Sequence, residues 1–116
     1  MECKNMNIDG YDVQFINNTW CTRHAWGHET TLYIDGEKIN ASKCRYYNRT
    51  WECYQYQSIM KNCVYECIEE NKKDFIKGYK YNHGIKRLCG EKRKDCMEEW
   101  EKAPYHNLLK SIYNNL

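Results

Sequence analysis

An α+β domain is what this sequence predicts: a three-stranded antiparallel sheet over residues 11–47, followed by a long helix and two shorter C-terminal helices. Three observations carry that prediction. Hydrophobic periodicity changes once, near residue 50, from two residues to about 3.6. Asp35-Gly36 separates two strand-like runs, which is a hairpin signal. The one proline, Pro104, precedes the cleanest apolar face in the chain and suits the first turn of a helix. A length of 116 residues fits a single domain, 1–116.

Residues 11–15 alternate, with Val13 and Phe15 on one face and Asp12 and Gln14 on the other, so they read as the first strand, and Asn17-Asn18 reads as its end. The segment 20–26 either extends that strand past a bulge or forms a loop. Residues 30–34 are β-branched, aliphatic and aromatic, and 37–47 supplies the return strand of the hairpin. Thr50 then offers a helix N-cap, with Glu52 in the first turn. Tyr56, Met60, Cys63, Val64, Cys67 and Ile68 recur at spacings of three and four, one stripe on a long helix over 50–82 that Asn82-His83-Gly84 terminates. Within the helical tail 84–116, Cys89, Cys96, Met97 and Trp100 repeat the pattern on a second helix. Tyr105, Leu108, Leu109, Ile112, Tyr113 and Leu116 trace the apolar face of a third, which packs on the sheet or joins two copies in a homodimer.

The charge balance of 18 basic against 16 acidic side chains excludes an acidic mimic of a nucleic-acid backbone and a uniformly basic nucleic-acid binder. Apolar runs are too short for a membrane span. The polar opening Met1-Glu2-Cys3-Lys4-Asn5 has no apolar core of a secretory signal, so a cytoplasmic location is expected. Eight cysteines and three Asn-x-Ser/Thr triplets, at Asn17, Asn40 and Asn48, suit an exported disulfide framework instead. One Pro, six Gly and long helix-compatible stretches favour reduced thiols.

Cys21, His24 and His28 have zinc-like spacing, and Cys44 on the neighbouring strand would complete a tetrahedral set. The paired Cys-x-x-Cys knuckle is missing, so the expectation is polar loop residues around a half-buried thiol, with no cofactor. Cys63 and Cys67 lie on the apolar helix stripe, where free cysteine acts as a small hydrophobe. No Cys-His signature and no phosphate-cradling glycine motif is present, so no enzyme is expected. Between residues 72 and 94 nine basic residues face only Asp74 and Glu91. Lys77, Tyr79, Lys80, Tyr81, Lys86 and Arg87 there interleave cations with aromatics, the texture of a partner-binding surface or of a solvated helix face. A second candidate partner-binding patch is Arg45, Tyr47, Arg49 and Trp51, at the predicted junction of sheet and helix, where Tyr47 and Trp51 read more readily as core.

The stretches Phe15-Ile16-Asn17-Asn18-Thr19 and Thr31-Leu32-Tyr33-Ile34-Asp35-Gly36, and above all Asn48-Arg49-Thr50-Trp51-Glu52 continuing to Gln57-Ser58, resemble small accessory proteins carried by phages and mobile elements of low-GC Gram-positive bacteria. The similarity covers about residues 11–68. It implies a setting in which such proteins inhibit host defence systems, as anti-CRISPR proteins do. The expected function is therefore docking on, and inhibition or modulation of, a host defence protein such as a CRISPR effector in the bacterial cytoplasm. Eleven Tyr and four Trp supply anchors for it. The alternative is a nucleic-acid-binding accessory protein that uses residues 72–94, and a protein–nucleic-acid complex is a third partner type.

Overall fold

The computed structural model describes residues 2–44 and 56–116. Four strands, β1 (Glu2–Ile8), β2 (Tyr11–Cys21), β3 (Trp26–Ile34) and β4 (Glu37–Lys43), form an antiparallel meander in chain order. Three helices follow: α1 (Tyr56–His83), α2 (Gly90–Glu101) and α3 (Pro104–Asn114). The α+β class stands, with one strand more than the periodicity of residues 11–47 predicts. The extra strand has a local cause. Asp9 and Gly10 sit at φ 52° and 87°, matching Asp35 and Gly36 at 51° and 81°, so both pairs make the doubly left-handed turn that suits a two-residue hairpin. Asp35 Oδ1 also accepts the Asp12 N–H at 2.8 Å, which ties the second hairpin to β2.

Asn17-Asn18 does not end β2, which continues to Cys21 in register with β3. Asn17 is fully buried, so it is no glycan acceptor in the folded chain. Residues 22–25 make the connection. The Thr22 hydroxyl accepts the Ala25 N–H at 3.2 Å and donates to the Ala25 carbonyl at 3.0 Å, closing the turn. β4 is described to Lys43, and the predicted strand residues 45–47 and helix residues 50–55 lie outside the described residues.

Alternation fixes which sheet face is covered. Val13, Phe15 and Asn17 of β2 point inward with Ile34, Leu32 and Thr30 opposite them on β3. α1 lies over β3 and β4, and α3 packs beside α1 and reaches β1. Leu108, Leu109 and Ile112 enter the same core as Phe15, Leu32 and Val64, so the apolar face of α3 is spent inside its own chain. Each such side chain contributes about 1.5–3 kcal/mol on burial. Residues 69–103 contribute nothing to this cluster. They form a helical arm, and the chain is correspondingly elongated, 51 × 33 × 20 Å.

Among the glycines, Gly27 alone has other atoms where a side chain would stand. A side chain there would run into the Cys44 carbonyl and the Trp20 ring, and that carbonyl accepts the Trp20 indole N–H at 3.1 Å. Gly27→Ala is expected to lower unfolding stability by about 1–3 kcal/mol in a urea titration. A midpoint equal to wild type would show that β3 and β4 separate there at no cost.

Candidate docking surfaces

The arm consists of α1 beyond Ile68, the turn 84–89 and α2. Tyr79 is 7% exposed, with Asp95, Cys96 and Glu99 of α2 beside it and His83 stacked on it at 4.1 Å. Trp100 of α2 donates its indole N–H to Asn71 Oδ1 at 2.9 Å and lies under the Lys72 ammonium at 5.6 Å. These contacts pair residue 79 with 96 and 71 with 100, so α2 runs back antiparallel to α1. Tyr79 is thus corrected from a partner-binding platform to a packing residue that holds the two helices together. Lys77, Tyr81, Lys86 and Arg87 are exposed and Lys80 is half-buried, all toward the tip of the hairpin.

The arm joins the body at one aromatic contact. The Trp100 ring lies 3.9 Å from that of His106 in α3, which is buried. His106 Nδ1 has no hydrogen-bond partner among the described residues. Burial holds the pKa of His106 below its ordinary value; Lys110 lowers it further, against a smaller opposing effect of Glu101.

At the other end of the molecule, the inner sheet face turns polar. Asn17, Thr30 and Ser42 form one cross-strand row, and Thr19, His28 and Cys44 follow. Asn17 Nδ2 donates to the Met60 sulfur at 3.6 Å, while Asn17 Oδ1 and Thr30 Oγ1 have no hydrogen-bond partner among the described residues. Thr19 Oγ1 lies 2.9 Å from the Tyr56 hydroxyl and 3.2 Å from His28 Nδ1. Glu66 anchors α1 to β4: its carboxylate accepts Ser42 Oγ at 2.9 Å and Asn40 Nδ2 at 3.2 Å, and Asn62 Nδ2 at 2.9 Å on its other oxygen.

Of the zinc-like set, only His28 and Cys44 meet, through the His28 N–H and the Cys44 sulfur at 3.5 Å. Cys21 and His24 are exposed at the β2–β3 connection. Among the described residues no group of three or more His, Cys, Asp or Glu is placed to hold a metal ion. The seven described cysteines are all unpaired. Burial pushes the Cys63 thiol up to about 12, with the Cys67 charge adding, and burial likewise pushes Cys67 up to about 11. Thiols so protonated are poor nucleophiles and poor metal ligands, as expected of packing residues. Arg45, Tyr47, Arg49 and Trp51 lie outside the described residues.

A groove of about 600 Å³ runs between the β4 edge, α1 and the start of α3. Ile39, Tyr65 and Tyr105 wall it, and Glu66, Glu69, Glu70 and Asp74 line it with Lys73 among them. Tyr65 and Tyr105 are 54% and 42% exposed, two aromatic rings held beside carboxylates. Sequence periodicity reads Tyr105 as part of an apolar helix face. The available signal was Tyr65, an aromatic next to the buried stripe but off it.

The chain matches no protein-family model, no curated protein and no solved structure.

His106 sets a pH dependence. With its folded pKa depressed, native and unfolded states are both neutral above the unfolded value of about 6.5, and below it the unfolded chain takes up the proton first. Stability is therefore full above that pH and falls as pH drops below it. Thermal melts from about pH 7.5 to about pH 5.5 are expected to show a smaller loss for His106→Phe than for wild type. Identical slopes would place His106 in solvent.

Proposed function

We propose that this chain is a binding protein of a phage or mobile element that docks on a host or defence protein, such as a CRISPR effector, in the bacterial cytoplasm. It acts by occupying a surface, so that its target is inhibited or modulated stoichiometrically. The observation that carries this reading is the groove of about 600 Å³ with its tyrosine walls and carboxylate lining. Tyrosine buries a large amphipathic area at small entropic cost, which makes Tyr65 and Tyr105 suitable anchors. Glu69, Glu70 and Asp74 around them favour a partner whose surface is basic, as the surfaces of nucleic-acid-handling proteins are. The buried thiol of Cys67, whose pKa burial pushes up to about 11, is a poor nucleophile at the same groove. The resemblance of residues 11–68 to phage and mobile-element accessory proteins supplies the class of target.

Tagged protein is used to capture partners from a bacterial host lysate treated with nuclease, beside the Tyr65→Ala/Glu69→Lys variant and a Lys38→Ala control on β4. The expected outcome is one protein retained in stoichiometric amount by wild type and the control, and reduced about tenfold or more by the groove variant. Retention by the groove variant at the wild-type level, or no retained protein, contradicts the reading.

A further inference from the structure

We propose that the tip of the helical arm is a contact site for the phosphate backbone of single-stranded nucleic acid, separate from the groove and independent of what the groove binds. Between residues 77 and 94 seven Lys and Arg stand against one carboxylate, Glu91. The antiparallel hairpin gathers them: the end of α1 brings Lys77 and Lys80, the turn brings Lys86 and Arg87, and the first turn of α2 brings Lys92, Arg93 and Lys94. Gly84 and Gly90, at φ 62° and 61°, turn the chain at the two ends of the connection, a conformation that side-chain-bearing residues resist. Apart from the half-buried Lys80, all seven are exposed. None of them is held in an ion pair among the described residues; the arm's one engaged cation is Lys72, over Trp100 at the base.

The chemistry of the tip decides between a protein and a nucleic acid. A protein interface needs a desolvated apolar centre and is depleted in lysine. Here Tyr81 is the one fully exposed large hydrophobic side chain among the described residues of the tip, 87% exposed, while Ile85 and Leu88 of the turn are half-buried. Many unpaired cations around one bare ring are what backbone-tracking surfaces use: phosphates are neutralised by the cations, and one base stacks on the ring. Tyr79, two residues earlier and therefore on the opposite side of the helix, faces α2 instead, so stacking falls to Tyr81 alone.

The test is fluorescence anisotropy of the purified full chain with a labelled oligothymidylate of about 20 nucleotides, between about 50 and about 300 mM salt. If the tip engages about four phosphates, log K falls with log salt at a slope of about −3. Lys86→Glu/Arg87→Glu should weaken binding about tenfold or more and flatten that slope by about 1.4. Tyr81→Ala should weaken it about fivefold or more with the slope unchanged. Lys38→Glu/Lys110→Glu, with the same change in net charge away from the tip, should cost less than about threefold. No binding at the lowest salt overturns the proposal, as does an equal loss from the two charge-reversed pairs when circular dichroism shows all variants folded. Because no lysate or protein partner is involved, this result is independent of the capture experiment on the groove.

Discussion

A helix of 28 residues is about 42 Å long, and only its first turns, from Tyr56 to Ile68, have a sheet to lie on. Ile59, Met60, Cys63, Val64 and Cys67 face β3 and β4 in that part, and beyond it the stripe ends until Tyr79. The mismatch in length between α1 and the sheet determines the remaining architecture. α3 fills the space beside the sheet-bound half of α1 and completes the core with Leu108, Leu109 and Ile112. The overhanging half is left to pair with α2, which buries little more than Cys96 and Trp100. A chain under selection for compactness alone would stop α1 near residue 70; the arm adds about a third of the sequence for almost no core.

Each end of the molecule then takes a different character. On the body, Glu66 holds α1 to β4 through Ser42 and Asn40, and the same helix turn opens toward the groove lined by Tyr65 and Tyr105. Nearby, Asn17 Oδ1 and Thr30 Oγ1 are buried and have no hydrogen-bond partner among the described residues. At the arm, charge has replaced burial. Tyr79, Trp100 and His106 fasten it with aromatic contacts, and Lys and Arg occupy its tip.

Much of the body was legible because its signals are local. Asp35-Gly36 states its own turn, Pro104 opens α3 as its missing N–H allows, and the three-and-four spacing from Tyr56 to Ile68 is the stripe that lies on the sheet. β1 was equally local, since Asp9-Gly10 is the same dipeptide as the second hairpin, but the polar residues 2–5 before it mask an edge strand. Asn17 defeated the reading for the opposite reason. Its preference for turns is a weak local term, and the tertiary register of β2 against β3 overrides it. The surfaces were the least visible. Whether Tyr79 or Tyr81 faces solvent depends on where α2 returns, a long-range fact that spacing within one helix does not contain.

Native-state hydrogen exchange tests the division into body and arm most directly, because it assigns an opening free energy to each amide of one continuous helix. Amides of residues 60–68 in α1, with those of β2, β3 and α3, should exchange only through global unfolding. Those of residues 72–83 and of α2 should exchange through a separate opening at clearly lower free energy. A single free energy along the whole of α1 and α2 would contradict the account, since the arm would then be an integral part of the cooperative core.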